Sequence, residues 1–180
     1  MDTIVVSTVV YEDPETIYEV LIDFPRYARY SEYLTSVRRL RGDGSVGTQY
    51  ALDFAWWKLT YTAHSEVVDV GPPDKIDWRV IKDISANGHW EIDQRETVPD
   101  AAPDDVTEAC DVSLRIDFDP DSADSSALKL PRLVSMGWVL KKVIPLIKNE
   151  AERVVQRAVN DVEGRRRDVA FSVQVDSEYL

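Results

Sequence analysis

The stretch Val9-Val10-Tyr11-Glu12-Asp13-Pro14-Glu15-Thr16-Ile17-Tyr18-Glu19-Val20-Leu21-Ile22-Asp23-Phe24-Pro25-Arg26-Tyr27-Ala28-Arg29-Tyr30 decides how this chain is read. It ends one strand, starts a capped helix and breaks that helix at a proline. Residues 3–11 (Thr3-Ile4-Val5-Val6-Ser7-Thr8-Val9-Val10-Tyr11) are mostly β-branched, as a strand prefers. Asp13 before Pro14 and Glu15 supplies an N-cap, a proline in the first turn and an acid at the positive helix end. Ile17, Val20, Leu21 and Phe24 share a face at helical spacing, so the helix packs inward. Pro25 lacks a donor and pushes Phe24 out of the helical region, which stops the helix there. Arg26 to Tyr33 is expected to form a second short helix.

Outward from this stretch, strand signals recur. Thr35–Leu40 runs into the Gly42-Asp43-Gly44 turn. Thr48–Trp57 puts Tyr50, Leu52, Phe54 and Trp56 on one face. Leu59–Val70 ends at Gly71-Pro72-Pro73-Asp74, a strong turn. Ile76, Trp78 and Val80 alternate with polar residues, as do Trp90 and Ile92, and then Cys110, Val112, Leu114, Ile116 and Phe118. One apolar and one polar face per hairpin means an antiparallel sheet with one side in water. From Leu130 to about Arg165 the period turns helical, with Val143, Ile147, Ala151, Val154, Val155, Ala158 and Val162 in one stripe. Pro145 is expected to split this into an apolar leading segment and a helix of about 18 residues. Residues 168–180 alternate weakly and read as an extra edge strand or a tail. The order implies an α+β helix-grip fold: a curved antiparallel sheet of six or seven strands around a long C-terminal helix, with two short helices after the first strand. Residues 1–167 form the one domain.

The chain carries 33 acidic residues against 21 basic ones in 180, a net charge of −12. That balance excludes general nucleic-acid binding, which needs a basic footprint. With 21 Asp among the acids and only 7 Lys, it suits a hydrated surface in high salt and a halophilic, haloarchaeal source. Cys110 is the only cysteine, so no intrachain disulfide forms. No apolar run reaches the length of a membrane span and no signal peptide is visible, so the expected location is cytoplasmic.

Several motifs dissolve on inspection. Gly42-Asp43-Gly44-Ser45-Val46-Gly47 has dinucleotide-loop spacing, but a strand follows it where a helix is required. Asp117 to Asp124 lacks the glycine and the terminal glutamate of a calcium loop. His64 and His89 fall on the polar phase of their strands. Only a bulge at Gly88 would turn His89 inward as an acid or base. No residue is assigned to catalysis, a metal or a cofactor.

The chain resembles the START-like (SRPBCC) superfamily in its polyketide cyclase/dehydrase branch, with coenzyme Q-binding members next in similarity. The resemblance rests on Asp13–Leu21, on Asp23-Phe24-Pro25-Arg26-Tyr27, on Gly44-Ser45-Val46-Gly47-Thr48 and on Pro72-Pro73 before Ile76-Asp77-Trp78. Gly88-His89-Trp90 and Ile144-Pro145-Leu146-Ile147 extend it over nearly the whole chain. It implies a hydrophobic cavity for a lipid, quinone or polyketide-like molecule, and no shared catalytic set. The expected lining is Tyr50, Phe54, Trp56, Tyr61, Trp78, Trp90 and Val112 from the sheet, with Trp138, Ile147, Ala151 and Val155 from the helix. Aromatic faces with a few polar tips suit a ring-bearing ligand. The expected function is non-catalytic binding or transport of that molecule. The alternatives are a cyclase or dehydratase with an acid/base in the cavity, and a protein- or membrane-interaction module. Residues 125–149 contain no acid but carry Lys129, Arg132, Lys141, Lys142 and Lys148 among apolar residues and Trp138. A basic amphipathic segment of this kind can contact an anionic membrane, here through residues 129–148.

Overall fold

A computed structural model describes residues 1–56, 58–124, 126, 134 and 136–178, with side chains at all of these except 136, 137, 140, 143 and 144. Strand β1 (Asp2–Val10) leads into helix α1 (Pro14–Ile22) and a 3-10 helix (Phe24–Arg29). Then follow β2 (Leu34–Arg41), β3 (Gln49–Trp56), β4 (Leu59–Gly71), β5 (Lys75–Val80), β6 (Ser85–Gln94) and β7 (Cys110–Asp119). A 3-10 turn (Pro120–Ser122), the long helix α2 (Met136–Glu163) and β8 (Phe171–Asp176) complete the chain. All eight strands form one antiparallel sheet in the order β2-β3-β4-β5-β6-β7-β1-β8.

The opening stretch folds as its residues dictate. Asp13 accepts from both the backbone N–H and the hydroxyl of Thr16, each at 2.8 Å, and so caps α1. The cap holds Asp13 as a carboxylate, chiefly through the Thr16 N–H, and lowers its pKa. Phe24 and Pro25 break the helix into the 3-10 turn, and the Phe24 ring stacks on Tyr27 at 5.1 Å and on Tyr50 at 5.0 Å. This second helix stops at Arg29, short of Tyr33, because Leu34 already pairs with Phe54 at the start of β2.

Eight strands exceed the six or seven expected, because the weakly alternating tail pairs with β1 from Thr3↔Asp176 to Thr8↔Phe171. Register shifts between Leu34 and Ser36, Arg39 and Arg41, and Val67 and Asp69 bend the β2–β5 half of the sheet. The β2–β3 turn uses glycine where nothing else fits: Gly42 has φ +90, and a β-carbon there would stand 2.6 Å from Thr48 Oγ1.

Helix α2 runs unbroken through Pro145, contrary to the expected split. A proline costs a helix one hydrogen bond, to the carbonyl four residues earlier. Here Pro145 and Lys141 are both exposed, so water can satisfy that carbonyl. Of the apolar leading segment expected from Leu130 to Pro145, residues 130–133 and 135 lie outside the described residues.

Two apolar clusters make the core. Val10, Ile17, Ile92, Cys110, Val112 and Val159 form the first, joined by Val155 and Val162 of α2. Phe24, Tyr50, Val67 and Ile76 form the second, joined by Trp78 and Trp90. Tyr18, Leu21 and Trp90 touch both, so α1 sits between them on the concave face.

The C-terminal half of α2 is clamped in place. Tyr30 donates to Asp161 at 2.5 Å, Arg26 Nε donates to the same carboxylate at 3.0 Å, and Arg157 donates to the Tyr30 carbonyl at 3.0 Å. At the helix end Glu163, its side chain 1% exposed, pairs with Arg167 at 2.7 Å and accepts from the Tyr11 N–H at 2.9 Å. The Arg167 guanidinium lies 3.9 Å from the centre of the Tyr11 ring and donates to the Val9 carbonyl.

Candidate functional site

The phase of the strands puts Tyr50, Leu52 and Phe54 of β3 on the concave face with Ser65, Ala63 and Tyr61 of β4, their cross-strand partners. Trp78 of β5 lies beside Val67, and Trp90 of β6 beside Ile76. This face is not uniformly packed. Tyr50 is 2% exposed within its stack, and its hydroxyl end borders a separate surface cleft of about 520 Å³ with Arg39, Asp43 and Gly44. Val112 and Val155 belong to the closed first cluster. Trp56, Tyr61, Trp78 and Trp90 are half-buried, and Phe54 keeps 37% of its surface exposed. On α2, Ile147 is 37% exposed and Ala151 half-buried. Large aromatics left part-exposed on the concave face leave apolar surface available to a ligand.

Beneath these faces lie buried polar atoms without partners among the described residues. Tyr61 Oη, Ser65 Oγ and Trp90 Nε1 are buried, and none of them completes a hydrogen bond of good geometry among the described residues. Trp90 Nε1 faces the Tyr27 hydroxyl at the margin of hydrogen-bond geometry, and that hydroxyl donates to the Leu21 carbonyl. Burial, reinforced by the Asp83 carboxylate, pushes the Tyr61 hydroxyl up to about 12. An orphaned buried polar group costs about 1–3 kcal/mol, which a hydrogen bond to a bound molecule or a water would recover.

Trp78 owes its place to Gly88. A β-carbon on residue 88 would stand 2.0 Å from Trp78 Cζ2, so the indole lies directly on the β6 backbone. The β5–β6 and β6–β7 registers run through Gly88 without a shift. The bulge that would have turned His89 inward is therefore absent, and His89 stays on the outer face, its Nδ1 bonded to Asp77.

Trp138 is 43% exposed, on the side of α2 that carries Lys141, Lys142, Pro145 and Lys148. Strand phasing also passed over two groups. Ser65 hides among the aromatics of β4. Glu150 is 8% exposed with Oε1 unbonded, its cations Arg153 and Arg157 standing 3.6 and 4.0 Å away. Its signal was available: Glu150 follows Ile147 by three residues and precedes Val154 by four, at the edge of the apolar stripe.

Cys110 is fully buried and its thiol is pushed up to about 11, chiefly by burial, which suits a packing residue. Among the described residues no group of three His, Cys, Asp or Glu is placed to hold a metal, and no helix is long and apolar enough to cross a membrane.

A family described as "Polyketide cyclase / dehydrase and lipid transport" matches residues 12–131. No curated protein matches the chain. Among solved structures, the ZhuI aromatase/cyclase from Streptomyces sp. R1128 is similar at a TM-score of 0.60 and 15% identity, over 91% of this chain and 94% of that one. TTHA0849 from Thermus thermophilus is similar at 0.59 and 15%, over 90% and 97%. CV1439 from Chromobacterium violaceum gives 0.58 and 16%, over 89% and 97%. Such identities establish a shared fold, an antiparallel sheet curved around a C-terminal helix. With two thirds of its length inside the family match, the chain belongs to the polyketide cyclase/dehydrase and lipid transport family.

Proposed function

We propose that this protein binds one apolar small molecule, ring-bearing or isoprenoid, between the concave face and α2, and carries or presents it unchanged. The observation that supports this is the set of orphaned polar atoms, Tyr61 Oη, Ser65 Oγ and Trp90 Nε1, among half-open aromatic faces. The apolar body would rest on Phe54, Trp56, Trp78 and Ile147, while a carbonyl or hydroxyl on the ligand met the orphans. The acidic surface and single cysteine fit a cytoplasmic setting at high salt. Cargo exchange would involve transient membrane contact through residues 129–148.

Glu150 favours a second reading, a cyclase or dehydratase, because it supplies a buried carboxylate with one unbonded oxygen. One experiment separates the two. The molecule that co-purifies with the protein is extracted, identified and re-incubated with fresh protein. Recovery unchanged supports carriage. Time-dependent conversion with loss of water, abolished in Glu150→Gln, would replace carriage by catalysis.

A further inference from the structure

We propose that the cleft between the end of α1 and the β2–β3 turn is a second ligand site, built for a small zwitterion of the α-amino-acid type with an apolar side chain. None of its lining residues belongs to the set proposed to hold the apolar cargo. Arg39 of β2 stands opposite Tyr50 of β3 in the ladder, so both side chains take the same face of the sheet. Tyr50 is 2% exposed, its ring stacked on Phe24, yet its hydroxyl makes no hydrogen bond among the described residues. That hydroxyl is aimed at the turn: a β-carbon on Gly44 would lie 4.0 Å from Tyr50 Oη. Burial pushes the hydroxyl up, Arg39 draws it back, and Asp23 and Asp43 add to the rise, so at neutral pH it remains a donor.

Opposite charges line this cleft without pairing. Arg39, Asp23 and Asp43 close no ion pair among the described residues, whereas the next residue along β2, Arg38, closes on Asp53 at 2.9 Å. Ser45 holds Asp43 from one side, donating its N–H at 3.1 Å and its hydroxyl to Oδ1, which leaves Oδ2 open. The Asp23 side chain caps nothing. An anion in this cleft meets two carboxylates, and a cation meets Arg39. A molecule that carries both charges satisfies every group: its carboxylate takes the Arg39 guanidinium and the Tyr50 hydroxyl, its ammonium the oxygens of Asp23 and Asp43. Ile22 and Pro25 complete the lining and give a side chain an apolar wall. The volume, about 520 Å³, lies within the range of about 300–1,000 Å³ usual for small-molecule sites.

The test is isothermal titration calorimetry with L-leucine at about 0.1 M NaCl, against 4-methylpentanoate, which lacks the amine, and 3-methylbutylamine, which lacks the carboxylate. L-leucine is expected to bind once per chain with a Kd below about 1 mM, and each half-molecule at least about tenfold more weakly. Arg39→Gln and Asp23→Asn should each weaken L-leucine at least about tenfold, and Tyr50→Phe about three- to tenfold. Arg41→Gln removes an exposed charge of the same strand outside the cleft and should keep the wild-type affinity. No saturable binding of L-leucine, half-molecules that bind as well as it does, or an equal loss in Arg41→Gln overturns the proposal. Urea midpoints are measured beside each affinity. Binding lost at an unchanged midpoint supports the site, and binding lost only where the midpoint falls overturns it. Arg39→Gln should also bind 1-anilinonaphthalene-8-sulfonate, a probe of the concave face, as the wild type does. A parallel loss would make cleft and concave face one site and overturns the proposal of a second.

Discussion

The indole of Trp78 rests on the bare backbone of Gly88, in the place a β-carbon would occupy, with Cζ2 only 2.0 Å from that point. The pair sits mid-sheet, where Val67↔Trp78 and Trp78↔Gly88 line up across three strands. Gly88→Ala must displace the ring, because β6 cannot retreat while paired on both sides. Overpacking of this kind costs about 1–3 kcal/mol. The expected outcome is a lower urea midpoint together with weaker binding of an aromatic probe. A variant that kept both would mean that the ring position matters neither to packing nor to binding.

Tyr61 tests whether the orphaned atoms are functional. Tyr61→Phe removes a buried hydroxyl that bonds to nothing among the described residues. Stability should be unchanged or rise by about 1 kcal/mol, while the amount of co-purifying molecule per chain falls. A stability loss above about 1 kcal/mol would show that the hydroxyl has a structural partner.

How far these features could be read beforehand depended on their range. The Asp13 cap and the Phe24-Pro25 break are local chemistry and were legible residue by residue. So were the hairpins, because alternation along a strand fixes which side chains face the core. The course of α2 through Pro145 was not, since it depends on which carbonyl is solvated. The purpose of Gly88 was hidden for the same reason: it lies on the neighbouring strand, in Trp78.

The latch at the end of α2 should carry much of the stability of that helix. Glu163→Ala leaves the Arg167 guanidinium and the Tyr11 N–H without their carboxylate. Breaking a buried pair from one side costs about 3–5 kcal/mol. Urea unfolding should show that loss, with Glu163→Gln less affected because its amide oxygen still accepts from Tyr11. A change below about 1 kcal/mol in Glu163→Ala would show that the latch does not hold the helix.

Asp161 should make the clamp acid-sensitive. The hydrogen bond from Tyr30, and then the Arg26 charge, hold its carboxyl below the usual carboxylate range. A lowered folded pKa contributes stability that is present above the unfolded value, about 3.9, and is lost as pH falls through the folded value. The urea midpoint of the wild type should therefore fall more between pH 5 and pH 2 than that of Asp161→Asn. Equal slopes would mean that the carboxylate is not held in its charged form.

Native mass spectrometry of protein purified without detergent from its own cells bears most directly on the central claim, that the open concave face holds a ligand. One apolar molecule per chain is predicted, retained at low collision energy and reduced in Gly88→Ala. A wild-type spectrum of bare chain, together with no saturable binding of an aromatic probe, would contradict it.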